Sequence, residues 1–214
     1  RFIAFTELKK MGTNALIPLS KLMDDANPRI KARATWLAGK IFPDPNKFLA
    51  AAIKDENPNL RIVALRLARQ DDRVNTLEVV SKLVNDSSPQ VRRECAVALN
   101  GQKSNKAVEL WVALANQHDG KDRWYLEALG IAARGNWDAC LEGFMKANKK
   151  PMTDAAVKDI VWRSRARRTP SLLADILLSG KVSEAESPRF MRAFDFFKNV
   201  PEAEKALERL LELE

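Results

Sequence analysis

One stretch recurs along this chain and sets what it can fold into. It reads Asp25-Ala-Asn-Pro-Arg-Ile-Lys-Ala-Arg-Ala-Thr-Trp-Leu-Ala38. Thirty residues on it returns as Asp55-Glu-Asn-Pro-Asn-Leu-Arg-Ile-Val-Ala-Leu-Arg-Leu-Ala68. After thirty-one more it returns as Asp86-Ser-Ser-Pro-Gln-Val-Arg-Arg-Glu-Cys-Ala-Val-Ala-Leu99. A period of this length marks a repeat architecture, in which each unit buries its apolar face only by stacking on its neighbours.

Each copy spells a helix start. Asn27, Asn57 and Ser88 carry side-chain oxygens suited to the orphan amides of a first turn. Pro28, Pro58 and Pro89 follow at the first helical position, where a missing N–H costs nothing. Ile30, Leu60 and Val91 begin an apolar stripe, Lys31, Arg61 and Arg92 come next, and Ala34, Ala64 and Cys95 supply small residues where a second helix packs closely. Ala128 takes the same role in a fourth copy, in which Asp122 replaces the proline and Trp124 points inward.

The same punctuation predicts helices over 1–10, 14–23, 28–41, 45–54, 58–70, 73–85, 89–100, 104–117, 122–134, 136–148, 154–168, 170–179, 188–198 and from Pro201 onward. No segment alternates with period two, so no strand is expected. The prediction is all-α: one solenoid domain over 1–214, of about six helix pairs flanked by a half repeat at each end. The chain opens at Arg1 inside a helical pattern. Phe2, Ile3 and Phe5 at one end, and Leu207, Leu210 and Leu211 at the other, have the pattern of interior repeats. A segment of a larger multidomain protein is therefore expected.

Composition narrows the function classes. No run of eighteen apolar residues exists, so no membrane span is expected. Cys95 and Cys140 are too few for a disulfide framework or a zinc site and fall on apolar stripes, which points to core packing. His118 is the only histidine, has no ligand partners at metal spacing, and is expected at the surface. There is no Gly-rich phosphate loop, no Ser-His-Asp set and no His-Cys ligand spacing, so neither a catalytic residue, a metal ligand nor a cofactor site is assigned.

The charge is unevenly placed. The net charge is +8, yet the helices at 28–41, 58–70, 89–100, 122–134, 154–168 and 188–198 hold nineteen Lys and Arg against six Asp and Glu, a net of +13. If these helices line one face, that face is basic and suits an acidic ligand. The candidate binding residues on it are Arg33, Arg66, Arg69, Arg93, Arg123, Tyr125, Arg163 and Arg165. The run Trp162-Arg-Ser-Arg-Ala-Arg-Arg168 is the densest, and reads as a solvated helix end before it reads as a phosphate track. Asp25, Lys31, Asp55, Arg61, Asp86 and Arg92 form a separate set. They are expected to pair internally as a ladder, Arg61 with Asp55 and Arg92 with Asp86.

The pattern Asp-x-x-Pro-x-(Ile/Leu/Val)-(Lys/Arg) resembles the HEAT repeat, a two-helix unit whose proline-led helix lines the concave face of an α-solenoid. The resemblance is strongest over 13–101. Five stretches resemble a narrower family: Asn27-Pro-Arg-Ile-Lys-Ala-Arg-Ala-Thr-Trp-Leu37, Gly120-Lys-Asp-Arg-Trp-Tyr-Leu-Glu-Ala-Leu129, Gly135-Asn-Trp-Asp138, Ile160-Val-Trp-Arg-Ser-Arg-Ala166 and Phe190-Met-Arg-Ala-Phe-Asp-Phe196. They are similar to the HEAT segment of PVC-type haem-binding CxxCH proteins, the membrane-bound dehydrogenase family. That resemblance implies an exported, periplasmic parent with a sugar-dehydrogenase-like propeller before this segment and a c-type cytochrome domain after it. The present chain has no Cys-x-x-Cys-His, so no haem attaches covalently here and the family's redox activity maps onto none of its residues.

The leading expectation is a non-catalytic scaffold that docks a protein or neighbouring domains of the same chain. The alternative is a basic solenoid that binds nucleic acid, as HEAT-type DNA glycosylases do. It is disfavoured, because such enzymes need a catalytic carboxylate between aromatics, and the nearest candidate, Asp122 beside Trp124, reads first as a helix cap. A third option, an enzyme subunit of the HEAT-like bilin lyase type, has no supporting residues.

Overall fold

The computed structural model describes residues 2–212, with the backbone alone for Phe2, and it is helical throughout. Among the described residues there is no strand. The interior-repeat expectation for the Phe2 side chain lies outside the described residues. The chain divides into two compact units at the Leu99–Asn100 boundary.

The first unit runs α1 (Phe2–Met11), a one-turn 3-10 segment (Gly12–Ala15), α2 (Leu16–Met23), α3 (Pro28–Ile41), α4 (Asn46–Ile53), α5 (Pro58–Ala68), α6 (Thr76–Leu83) and α7 (Pro89–Ala98). Helices α3, α5 and α7 lie side by side in one row. Helices α2, α4 and α6 each pack on the row member that follows them, so the unit is a stack of helix pairs. The starts follow from the caps. The Asn27 side chain accepts from the Arg29 amide at 3.0 Å, and Asn57 from the Asn59 amide at 2.9 Å. Ser88 stands at the third cap without a side-chain bond, so its helix begins on Pro89 alone.

Small residues set the close approach of the row. Ala34 and Ala64 are buried, and Gly39 of α3 faces Leu67 of α5. A Cβ on Gly39 would stand 2.8 Å from Leu67 Cδ1, so glycine is what lets the two helices meet there. Leu60, Leu65, Leu67, Val91 and Cys95 fill the space between layers. Burial pushes the Cys95 thiol up and that of Cys140 up to about 12, which leaves both as inert packing groups.

The second unit continues with α8 (Asn105–Ala115), α9 (Arg123–Ala132), α10 (Trp137–Ala147), α11 (Ala155–Arg163), α12 (Thr169–Leu178), α13 (Ser187–Ala193), a 3-10 turn (Phe194–Phe197) and α14 (Pro201–Leu211). Here α9, α11 and α13 form the row, with α8 against α10 and α12 against α14 behind it. The core is more aromatic: Trp111 packs edge-on to Trp137 and donates its indole N–H to the Leu129 carbonyl at 2.9 Å.

Several expectations shift: the helix expected over 14–23 opens with the 3-10 segment, and that over 188–198 becomes α13 followed by a 3-10 turn. Helix α11 ends at Arg163 rather than at residue 168, because Ser164 turns extended and Arg165 folds back to cap the helix. The fourth repeat is read one residue out of register. Asp122 is the N-cap of α9, as its cap reading expects, and so stands one residue before the place that the proline holds in the other repeats; its carboxylate accepts from the Tyr125 amide at 3.0 Å. A one-residue slip turns a helix by about 100°. Trp124 is accordingly 71 % exposed and Tyr125 is buried, the reverse of the expected placement.

Candidate interaction surface

The row helices carry a cation four residues past the cap: Lys31, Arg61, Arg92 and Lys158. Lys31 Nζ reaches Asp55 Oδ2 at 2.6 Å, in the loop of the next repeat. Arg61 grips Asp86 of the following repeat, Nε to Oδ2 at 2.6 Å and Nη2 to Oδ1 at 2.8 Å. In the second unit Lys158 Nζ meets Glu186 Oε1 at 2.9 Å. Asp25, Asp55 and Asp86 also hold their own loops, through bonds from the amides of Asn27, Asn57 and Ser88 at 2.7, 2.9 and 2.8 Å.

The ladder therefore exists, but its direction differs from the expectation. Arg61 touches Asp55 only at its backbone oxygen, at 2.7 Å, and Arg92 donates to the carbonyls of Asp86 and Ser87 at 2.7 and 3.2 Å. A helical side chain leans toward its own N-terminus. From the fourth position a guanidinium thus lies over its own entry loop and level with the loop of the neighbouring repeat. Burial pushes the Asp55 and Asp86 carboxyls up, but Lys31, Arg61 and the loop amides outweigh it and hold both below the ordinary range.

Three of the anticipated binding residues converge. Arg33 of α3 and Arg66 and Arg69 of α5 border an open groove of about 820 Å³ whose floor is Phe5, Leu8, Trp36, Leu37 and Val63. Trp36 is half-buried, with Lys40 Nζ 5.2 Å from its ring. Arg66 Nη2 donates to Glu94 Oε2 at 3.1 Å and Arg69 stands 3.7 Å from the other oxygen of the same carboxylate. Arg33 has no ion pair among the described residues. Three guanidinium groups thus border one apolar floor, and two of them share a single carboxylate. The charge was legible from sequence; the apolar floor was not, because Phe5 and Leu8 reach it from α1.

The other candidates lie elsewhere. Arg93 is half-buried on α7 and Arg123 is exposed at the start of α9, away from the groove lining. Tyr125 is not a surface residue: its hydroxyl donates to the Leu114 carbonyl at 3.0 Å and its ring stacks on His118. His118 is buried too, with Nε2 3.0 Å from Asp159 Oδ2, while Arg189 holds Asp159 Oδ1 at 2.7 Å. The surface expectation for His118 fails because Asp159 lies forty-one residues away in sequence and only the packing of α11 brings it near. The dense basic run is also partly engaged: Arg163 Nε binds Glu127 at 2.9 Å and Arg167 binds Glu202 at 2.8 Å.

The row of proline-led or acid-capped helices, backed by partner helices and tied by a cross-repeat ladder, defines an all-α, HEAT-like helix-pair solenoid. A family model of HEAT repeats matches residues 45–130. No curated protein and no solved structure matches the chain at a significant level. Among the described residues no helix is long and apolar enough to cross a membrane, and no three His, Cys, Asp or Glu side chains are grouped as a metal site.

Proposed function

We propose that the chain is a non-catalytic interaction scaffold, and that the groove of the first unit docks an amphipathic protein segment with apolar anchors and acidic flanks. The observation that carries this reading is the pairing of the Phe5, Leu8, Trp36, Leu37 and Val63 floor with the Arg33, Arg66 and Arg69 border. Apolar anchors in a groove supply affinity, and complementary charge at its rim fixes orientation and speeds encounter. Among the described residues Glu94 pairs with Arg66 and Arg69 and no carboxylate pairs with Arg33, so an acidic occupant is favoured over a basic one.

The parent is proposed to be an exported, periplasmic, haem-containing dehydrogenase-like protein. The support is the set of five stretches from Asn27 to Phe196 that resemble that family. In this reading the occupant belongs to a neighbouring domain of the same chain or to a redox partner, and this segment itself needs no cofactor. Nucleic-acid binding is the weaker reading, because Asp122, the nearest carboxylate to a glycosylase base, is held as the cap of α9.

The test is a polarisation titration with a labelled helical peptide bearing a leucine face and glutamate flanks. Micromolar binding is expected, weakened at least about tenfold by Trp36→Ala or Arg66→Glu, equivalent to the loss of about 1.4 kcal/mol, and unchanged by Arg123→Glu. Equal binding of a peptide with lysine flanks would overturn the acidic assignment. No binding of either would overturn the groove.

A further inference from the structure

A second site lies in the other unit and is independent of the groove. Arg134, Arg163 and Arg165 line an open cleft of about 580 Å³ together with Gly130 and Asp138. Their guanidinium groups are only partly satisfied by protein. Arg163 uses Nε on Glu127, at 2.9 Å. Arg165 uses Nη1 on the carbonyls of Trp162, Arg163 and Ser164, at 3.3, 3.0 and 2.6 Å, which caps the end of α11. Its ring-stacking face lies 3.6 Å from the Phe196 centroid. Arg134 is exposed, its amide donates to the Ile131 carbonyl at 3.3 Å, and its side chain has no hydrogen bond or ion pair among the described residues. All three side chains line the cleft, and their remaining N–H groups have no partner among the described residues.

The local charge is unbalanced. Burial, and then the charge of Arg163, lowers Arg165 to about 10, so its cation sits where a counter-anion is wanted. Of the two acids nearby, Glu127 is taken by Arg163. Asp138 lines the cleft but turns Oδ1 to the Arg167 amide at 2.7 Å. Space for this arrangement depends on Gly130. A Cβ there would collide with the Arg163 guanidinium, so the backbone of α9 is the wall against which that group lies flat.

We infer that this cleft binds a phosphate group of a small ligand, with Arg134, Arg163 and Arg165 as its donors. Planar guanidinium forks match the tetrahedral oxyanion, and a dianion answers an excess of cations better than a single carboxylate does. Arg134 is the exposed donor at the cleft; Arg163 and Arg165 are held by Glu127 and by the α11 carbonyls.

The experiment is calorimetry and thermal unfolding of the whole chain with inorganic phosphate, at constant ionic strength made up with chloride. Saturable binding at millimolar phosphate is expected, together with a rise in Tm that acetate does not reproduce. Arg134→Gln should weaken phosphate binding at least about tenfold while leaving the unliganded Tm unchanged, since Arg134 supports nothing else. Gly130→Ala, which pushes the Arg163 guanidinium aside, should weaken it as well. No saturable binding, an equal shift with acetate, or full binding by Arg134→Gln would each overturn the assignment. A single-stranded oligonucleotide that binds more tightly than inorganic phosphate, and is lost in Arg134→Gln, would transfer the cleft to a phosphodiester backbone and overturn the small-ligand reading.

Discussion

Arg61 and Asp86 join successive repeats through two parallel bonds of 2.6 and 2.8 Å, and both side chains are mostly buried, at 13 % and 7 % exposure. Lys31 and Asp55 make the same junction one repeat earlier with a single ammonium that is 35 % exposed. The two rungs should therefore differ in weight. Arg61→Ala leaves the Asp86 carboxylate buried without its partner and removes the bonds to the Asp55 and Glu56 carbonyls. A loss of about 2–4 kcal/mol is expected in urea melts. Lys31→Ala should cost about 1 kcal/mol or less. Equal losses would mean that the ladder contributes through charge alone and not through fork geometry.

Acid should weaken the first unit in a defined window. Asp71 is lowered from 3.8 to about 2, chiefly by its bonds from the Arg73 side chain, and Asp55 and Asp86 are also held below 3.8. A carboxyl whose folded value is depressed binds its proton more readily when unfolded. Its contribution is complete above the ordinary value and is lost as pH falls through the folded value. Urea midpoints should thus be level above about pH 5 and fall between about pH 4 and pH 2. In Asp71→Asn the midpoint should start lower and fall less steeply over that window.

Trp124 and Tyr125 show what the sequence made legible and what it hid. Helix starts were readable at Pro28, Pro58 and Pro89, which fix the first helical position without help from the rest of the fold, whereas at Ser187-Pro188 the helix begins one residue earlier with Glu186 as its cap. At Asp122 no proline fixes it, and setting Asp122 in the place of the proline puts the apolar stripe on Trp124 instead of Tyr125. Counted from the caps, Leu60, Val91, Tyr125 and Val157 all stand three residues on, and all are buried. Arg33, Arg66 and Arg69 were legible as one surface for the same reason: their repeats carry that proline. The His118–Asp159 bond and the far side of the Arg61–Asp86 bond were not legible, since stacking between repeats brings those partners together. The test is a pair of variants. Tyr125→Phe removes the bond to the buried Leu114 carbonyl and should cost about 1–2 kcal/mol. Trp124→Ala should stay within about 0.5 kcal/mol.

Gly39 and Ala64 test how tightly the row is packed. Alanine at position 39 gains about 1 kcal/mol of helix propensity, yet its methyl would meet the buried Leu67 side chain at 2.8 and 3.0 Å. Overpacking of this kind costs about 1–3 kcal/mol, so Gly39→Ala should be neutral to mildly destabilising. Ala64 has no exposed surface, and Ala64→Phe should lose at least as much as the upper end of that range. Unchanged melts for Ala64→Phe would show that α5 is able to move away from its neighbours.

Nucleic acid gives the last comparison, because the row helices were expected to form a basic face. Much of that charge is internally engaged: Lys31, Arg61, Lys158, Arg163, Arg167 and Arg189 each have a carboxylate within 3.0 Å. Arg189 lies over Trp162 and Arg165 over Phe196, so two aromatic faces that could stack on bases are covered by the protein's own cations. Binding of a single-stranded oligonucleotide should therefore be weak and blind to sequence, with few counterions released. In a polarisation titration at about 150 mM salt, where charges are screened beyond about 8 Å, the signal should vanish. Submicromolar binding there, lost in an Arg66→Glu/Arg93→Glu double variant, would replace the protein-docking reading of the row with a nucleic-acid one. Loss of the acidic peptide in the same variant, without any oligonucleotide binding by the wild type, would leave the groove as a protein site and place its specificity in the arginine border.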